Sequence, residues 1–153
     1  AVELNSLIRD TISVEELLEI VTYKGYAFDM INVATAVLTL SKLGKKDKRS
    51  SAVVGEGLGA DARFSQLLFF VSAHCPSFQP QACANVMNGL AVLQSDLGAQ
   101  AVDAELAAQL ASVVERQAGY MNAQAVSNVL NAIVKIETIG AALSANGWAA
   151  LGK

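Results

Sequence analysis

Along most of this chain, apolar residues recur at three- and four-residue intervals, the spacing that places them on one face of an α-helix. Val14, Leu17, Leu18 and Val21 form the first clear stripe, and Phe64, Leu67, Leu68, Phe70 and Val71 form the most apolar one. Polar residues with capping chemistry stand just ahead of the stripes. Ser13 with Glu16 is a capping box, and Asp29, Asp61, Asp103 and Asn122 are N-cap residues, while Pro80 suits a first helical turn. Gly25, Gly44, Cys75-Pro76 and Gly119 are stop signals. These marks predict helices near 14–24, 29–43, 61–74, 80–94, 103–117 and 122–136, a short helix over 2–9, and one further opening helix over 138–151. The glycines at 55, 57 and 59 predict a loop over 50–60.

The pattern repeats. Gln124-Ala-Val-Ser-Asn-Val-Leu-Asn-Ala-Ile-Val-Lys-Ile136 lies over Gln81-Ala-Cys-Ala-Asn-Val-Met-Asn-Gly-Leu-Ala-Val-Leu93 at a shift of 43 residues, with Gln81, Asn85, Val86, Asn88 and Leu90 matching Gln124, Asn128, Val129, Asn131 and Ile133. A shift of 50 carries Leu17, Leu18 and Val21 onto Leu67, Leu68 and Val71, and Phe28 onto Phe78. The first copy lacks the amides and has Ile31, Thr35 and Leu38 in their places. Self-similarity at this period is the mark of stacked units that cannot bury their apolar faces alone. The expected fold class is therefore all-α, an α-solenoid of about three antiparallel helix-pair repeats. The units span about 13–44, 61–94 and 103–136, with a partial fourth over 138–151, in a single domain covering 1–153.

The phrases Phe78-Gln-Pro-Gln-Ala-Cys-Ala-Asn-Val-Met-Asn-Gly-Leu and Tyr120-Met-Asn-Ala-Gln-Ala-Val-Ser-Asn-Val-Leu-Asn-Ala-Ile carry a resemblance. Their unit is similar to the octotricopeptide and heptatricopeptide helical repeats and to the leucine-rich region of FAST kinase-like and RAP-domain proteins. The resemblance covers about residues 13 to 136. It implies an α-solenoid of a mitochondrion or plastid, in a family mostly implicated in binding organellar RNA, with some members built into organellar ribosomes.

Composition narrows the function classes. Hydrophobic residues make up 53% of the 153 and proline occurs twice, which suits packed helices and argues against disorder. The longest apolar run, around Leu67 to Ala73, is far short of the ~18 residues of a membrane span. A net charge of −3 argues against a nucleic-acid partner, since phosphate neutralisation by Lys and Arg supplies most non-specific affinity. Two cysteines and one histidine cannot close a zinc site. His74 and Cys75 are adjacent and so point about 100° apart on a helix, which is poor geometry for a dyad. Gly55-Glu-Gly-Leu-Gly59 lacks the lysine of a phosphate-binding loop. The expectation is a non-enzyme with no cofactor and no metal.

Three sets of residues remain as binding candidates. Gln81, Asn85 and Asn88, at i, i+4 and i+7, share one helix face, and Gln124, Asn128 and Asn131 repeat that placement. Such amides read base edges in single-stranded RNA, or else fix the register of stacked helices; both readings stand on sequence alone. Lys42, Lys45, Lys46, Lys48 and Arg49 form the one basic cluster, a solvated loop or a phosphate contact. At the chain ends, Leu4, Leu7, Ile8, Ile139, Ala142, Leu143, Trp148 and Leu151 have no covering helix in sequence, so Trp148 and Leu143 are expected at a docking surface. The expected partners are other protein chains of a large assembly, with single-stranded or ribosomal RNA as an alternative contact. Together these point to a scaffold of an organellar ribonucleoprotein or other large organellar complex, or to a purely protein-binding accessory subunit.

Overall fold

The computed structural model describes residues 2–46 and 57–152, and among them the regular structure is entirely helical. In chain order the α-helices are α1 (Val2–Arg9), α2 (Val14–Lys24), α3 (Met30–Lys46), α4 (Ala62–His74), α5 (Pro80–Ala91), α6 (Ala104–Gln117), α7 (Ala123–Lys135), α8 (Glu137–Ala142) and α9 (Ala145–Leu151).

One local device recurs three times. The first helix of each pair ends in a single 3-10 turn, over Gly25–Ala27, Cys75–Ser77 and Ala118–Tyr120. An extended residue follows, Phe28, Phe78 or Met121, and then the cap residue of the second helix. The offsets between these turns are the 50 and 43 residues of the sequence alignment. Each turn starts on a buried small residue, Gly25, Cys75 or Ala118; at Gly25 a built Cβ would lie 2.4 Å from Phe70 Cε2 of α4. The side chains of Phe28 and Phe78 then fold back into the core.

The caps explain where the helices begin. Ser13 Oγ accepts from Glu16 N at 3.1 Å, and Glu16 Oε2 accepts in return from Ile12 N at 3.1 Å. Asp29 and Asn32 exchange the same two bonds, Asn32 N to Asp29 Oδ1 at 2.8 Å and Asp29 N to Asn32 Oδ1 at 2.9 Å. Asp61, Asp103 and Asn122 accept from Arg63 N, Leu106 N and Ala125 N, each at 2.8 Å.

Two layers result. In one, α1, α3, α5 and α7 pack in succession; in the other, α2 packs on α4, and α6 is followed by α8 and α9. Leu17, Leu67 and Leu110, the matched core positions, are fully buried between the layers. The layer of α3, α5 and α7 is tight because small residues line its contacts. A Cβ built on Gly89 of α5 would lie 2.7 Å from Val37 Cγ1 and 2.9 Å from Val37 O of α3, so the two backbones approach as closely as glycine permits. The other layer is looser. Between α4 and α6 lies a groove of ≈450 Å³, bounded by Phe69, Leu68, Leu106, Asp103 and Glu105 and crossed by the 2.7 Å bond between Ser72 Oγ and Gln109 Oε1.

Several expectations are corrected. Gly44 does not stop α3, which runs through it to Lys46. Residues 57–59 are helical and Leu58 is buried, so the loop expected over 50–60 does not extend to them; residues 47–56 lie outside the described residues. The chain after 94 continues in a π-helical turn to Asp96. The segment 138–151 is two short helices, because Ser144 starts a new one by accepting from Gly147 N at 3.2 Å. Folded that way, α8 and α9 reach back to α6 and bury Ile139, Leu143 and Leu151.

Candidate binding faces

The register of the second helices of the pairs decides what lies on their outer surface. Met30, Pro80 and Ala123 open α3, α5 and α7 at equivalent positions, so the amide sets share one face of one layer. Gln81, Gln124 and Asn131 are exposed, and Asn85, Asn88 and Asn128 are half-buried. Among the described residues, the one hydrogen bond these amides make to protein runs from Gln81 Nε2 to Asn85 Oδ1 at 3.0 Å. They are therefore surface amides rather than ties between stacked backbones. Ile31, 51% exposed, and Thr35 occupy the same face of the first pair. Between α3 and α5 they and Gln79, Gln81 and Asn85 line a shallow groove of ≈220 Å³.

Charge on this face is sparse. Helix α5 has no ionisable residue other than Cys83, and α7 has Lys135 alone, at its end. Asp96 stands between two cations there, 3.6 Å from Lys45 Nζ and 3.3 Å from Lys135 Nζ, and so draws the carboxyl-terminal ends of the three helices together. Lys42 and Lys46 are exposed, whereas Lys48 and Arg49 of the expected basic cluster lie outside the described residues. One of the three described lysines of that cluster is thus already engaged by a carboxylate. A comparable set joins the other layer: Arg63 makes paired bonds to Glu15 (2.7 and 2.9 Å) and to Asp61 (3.1 and 2.8 Å), with their hydrogen bonds holding both carboxyls below the usual range and raising the guanidinium.

Comparison with family models, curated proteins and solved structures returns no match for this chain.

The thiols offer little chemistry. Both are free and buried; burial pushes Cys75 up to about 11 and Cys83 to about 12, so neither is a thiolate near neutrality. His74 is half-buried at the end of α4, next to Cys75. Among the described residues there is no group of three or more His, Cys, Asp or Glu placed to hold a metal ion, and no helix long and apolar enough to cross a membrane.

The end-docking pair separates. Leu143 is 7% exposed and belongs to the core, which corrects its expected place at the surface, while Trp148 stays 44% exposed. Its indole neighbours Gly140, whose built Cβ would lie 3.6 Å from Trp148 Cζ2. At the other end Ile8 is buried and Leu7 remains open, beside Leu4 and Tyr23 in a groove of ≈500 Å³.

Sequence reasoning missed a third surface. In α3 and α5 the positions Ala34/Ala84, Val37/Met87 and Ser41/Ala91 are all buried, and Val37 lies against Gly89 of the next helix of the layer. Their equivalents in α7, at shifts of 50 and 43, are Ser127, Leu130 and Val134. Ser127 is exposed, Leu130 is 37% exposed and Val134 is 76% exposed. The alignment itself held part of the signal, since Leu130 and Val134 keep the apolar character of Met87 and Ala91.

Proposed function

We propose that this chain is a non-enzymatic helical-repeat scaffold, an α-solenoid of three helical pairs with a partial fourth, that binds other proteins along the face of α3, α5 and α7. The observation that carries this reading is the chemistry of that face. It presents exposed amides and apolar side chains, with no Lys or Arg in α5 and only Lys135 in α7; Lys42, Lys45 and Lys46 gather at the end of α3, where Lys45 and Lys135 share Asp96. A face that binds nucleic acid needs Lys and Arg to displace counterions from phosphates, whereas amides interleaved with apolar groups suit a protein surface. The tight α3/α5/α7 layer and the looser α4/α6 spacing support a stack that bends around the amide face, the geometry by which short arrays embrace a partner. The resemblance to octotricopeptide-type repeats suggests a setting for that role, a ribonucleoprotein or other large assembly of a mitochondrion or plastid.

A photoreactive residue at position 124, compared with one at Glu19 in the opposite layer, tests the reading in extract of the source cells. The expected result is protein adducts of discrete mass from position 124, unchanged by ribonuclease and absent from position 19. Equal adducts from both positions, or none, would overturn it.

A second reading keeps single-stranded RNA as the ligand of the ladder, and the exposure of Gln81, Gln124 and Asn131 favours it. Splayed bases offer edges that Asn and Gln match. Under this reading the adducts at position 124 are ribonuclease-sensitive, and changing Asn85→Ala together with Asn128→Ala weakens a fluorescent single-stranded RNA without altering the helical circular dichroism.

A further inference from the structure

Charge is unevenly placed among the helices. Glu15, Glu16, Glu19, Glu105 and Glu115 stand on α2 and α6, whereas α3, α5 and α7 contain no Asp or Glu although the chain carries −3 overall. Their cations Lys42, Lys45, Lys46 and Lys135 all lie in the carboxyl-terminal parts of α3 and α7. Along α7 the spacing of Gln124, Asn128 and Asn131 continues to Lys135, and along α3 that of Ile31, Thr35 and Leu38 continues to Lys42, so both lysines extend the amide face. The same step in α5 ends on Val92. A neutral field of amides is thus bordered along one edge by lysines. Lys42 is exposed and makes no ion pair among the described residues, and Asp96 shows what the edge takes, its carboxylate lying between Lys45 and Lys135.

The amides have little to bond within the chain. Asn88 and Asn128 are half-buried and, with Gln124 and Asn131, form no hydrogen bond to protein among the described residues, while Gln81 and Asn85 form one between them. Beside Asn85 the ≈220 Å³ groove between α3 and α5 has apolar walls in Met30, Ile31, Ala34 and Ala82. That is below the ~300–1,000 Å³ of a small-molecule site, so it suits a single aliphatic side chain.

We infer that the amide face holds an extended peptide segment of a partner protein, its main-chain N–H and C=O groups bonded by the Asn and Gln side chains, with one aliphatic side chain in the α3/α5 groove and an acidic side chain at the lysine edge. A primary amide both donates and accepts, as a peptide group does. A partner helix has its main-chain groups already paired and would leave the amides unmatched, whereas an extended segment brings both groups unpaired. A nucleic-acid strand laid across the layer would set a phosphate beside every nucleotide, and α5, in the middle, has no Lys or Arg to meet one. Packed helices stand about 8–10 Å apart and an extended chain advances about 3.3 Å per residue, so the segment meets a new helix roughly every three residues. This inference rests on the scaffold reading and names the chemistry of its partner.

The test selects random linear peptides, long enough to cross three helices, on the full chain, and measures fluorescent copies of those enriched by anisotropy. They should carry Asp or Glu. Asn85→Ala with Asn128→Ala, in a chain whose circular dichroism and melting temperature match the parent, should weaken them at least about tenfold. Lys42→Glu should weaken them about threefold or more, and Glu19→Ala in the opposite layer should leave them unchanged. Replacing central peptide amides one at a time by esters, which removes an N–H donor and little else, should cost about threefold to tenfold at two or more positions. Affinity that survives every ester, or that is equal for the parent and the doubly substituted chain, would overturn the inference. Protein adducts at position 124 would in that event still uphold the scaffold reading, so the two failures are distinct. A selection that enriches no peptide would overturn it as well; if a fluorescent single-stranded RNA then binds through the same two asparagines, the partner is nucleic acid.

Discussion

Helices α5 and α7 are near copies in sequence and stand in equivalent places in their pairs, yet one is enclosed on both sides and the other on one. At two of the three contested positions the amino acids do not differ in kind, while Ser127 replaces Ala84 at the third. Met87 and Ala91 are apolar, and so are Leu130 and Val134. What differs is the neighbour, so burial at these positions follows the place of the helix in the layer of α3, α5 and α7. The comparison also separates two kinds of polar surface. Amides at Gln81 and Gln124 face outward in both helices, whereas the stripe at 127, 130 and 134 is opened only in the last.

Four changes would break or sharpen that contrast. The largest effect is expected from paired charge insertions at one register position. Ala91→Asp puts a carboxylate into a packed, 1%-exposed site and should cost more than about 3 kcal/mol or abolish folding. Val134→Asp should stay within about 0.5 kcal/mol of the parent in urea unfolding. Leu67→Ala, at a fully buried position of α4, should lose roughly 2–5 kcal/mol by leaving a cavity; a parent-like melt would contradict its place in the core. Gly89→Ala, set against the backbone of Val37, should lose about 1–3 kcal/mol through overpacking, measured in the same titration.

The smallest effect concerns Arg63 with Glu15 and Asp61. Both carboxyls have folded pKa values depressed by their bonds to Arg63, so their contribution is complete above the unfolded values of about 4 and fades as the pH falls through the lower folded ones. Thermal melts at pH 7 and pH 3 should differ less for Arg63→Met than for the parent. An identical pH difference in the two proteins would remove this ion group from the account.

Much of the fold was legible because the repeats carry their own punctuation. Ser13, Asp29, Asp61, Asp103 and Asn122 cap helices where they were expected to, and the alignment shifts reappear as offsets between three 3-10 turns. The errors fell where one local signal had to compete with packing. Gly44 is tolerated inside α3 because it is buried in a helix continued by Lys45 and Lys46. The fold of 138–151 was misread as one helix because its apolar residues suggested continuity, whereas Ser144 and Gly147 form a cap that turns the chain onto α6. There Gly147 lets the helix approach Glu115, whose Cγ would stand 2.6 Å from a built Cβ, and Ser144 N donates to Glu115 Oε1 at 2.6 Å. Leu143 was lost from the surface for that reason. The faces of the amides followed from helical spacing, but their freedom from backbone bonds did not. The open stripe of α7 needed the burial of three units side by side.

Thiol accessibility at one register position tests that contrast most directly. The native Cys75 and Cys83 are buried and protonated near neutrality, so they give a low background in an aromatic-disulfide assay of the folded chain. A cysteine introduced by Val134→Cys should react at close to the rate of a free thiol at pH 8, and one introduced by Ala91→Cys should react only as the protein opens, with both reacting alike in urea. Equal rates at the two positions in the folded protein would contradict the account, because α7 would then be no more open at this register than α5.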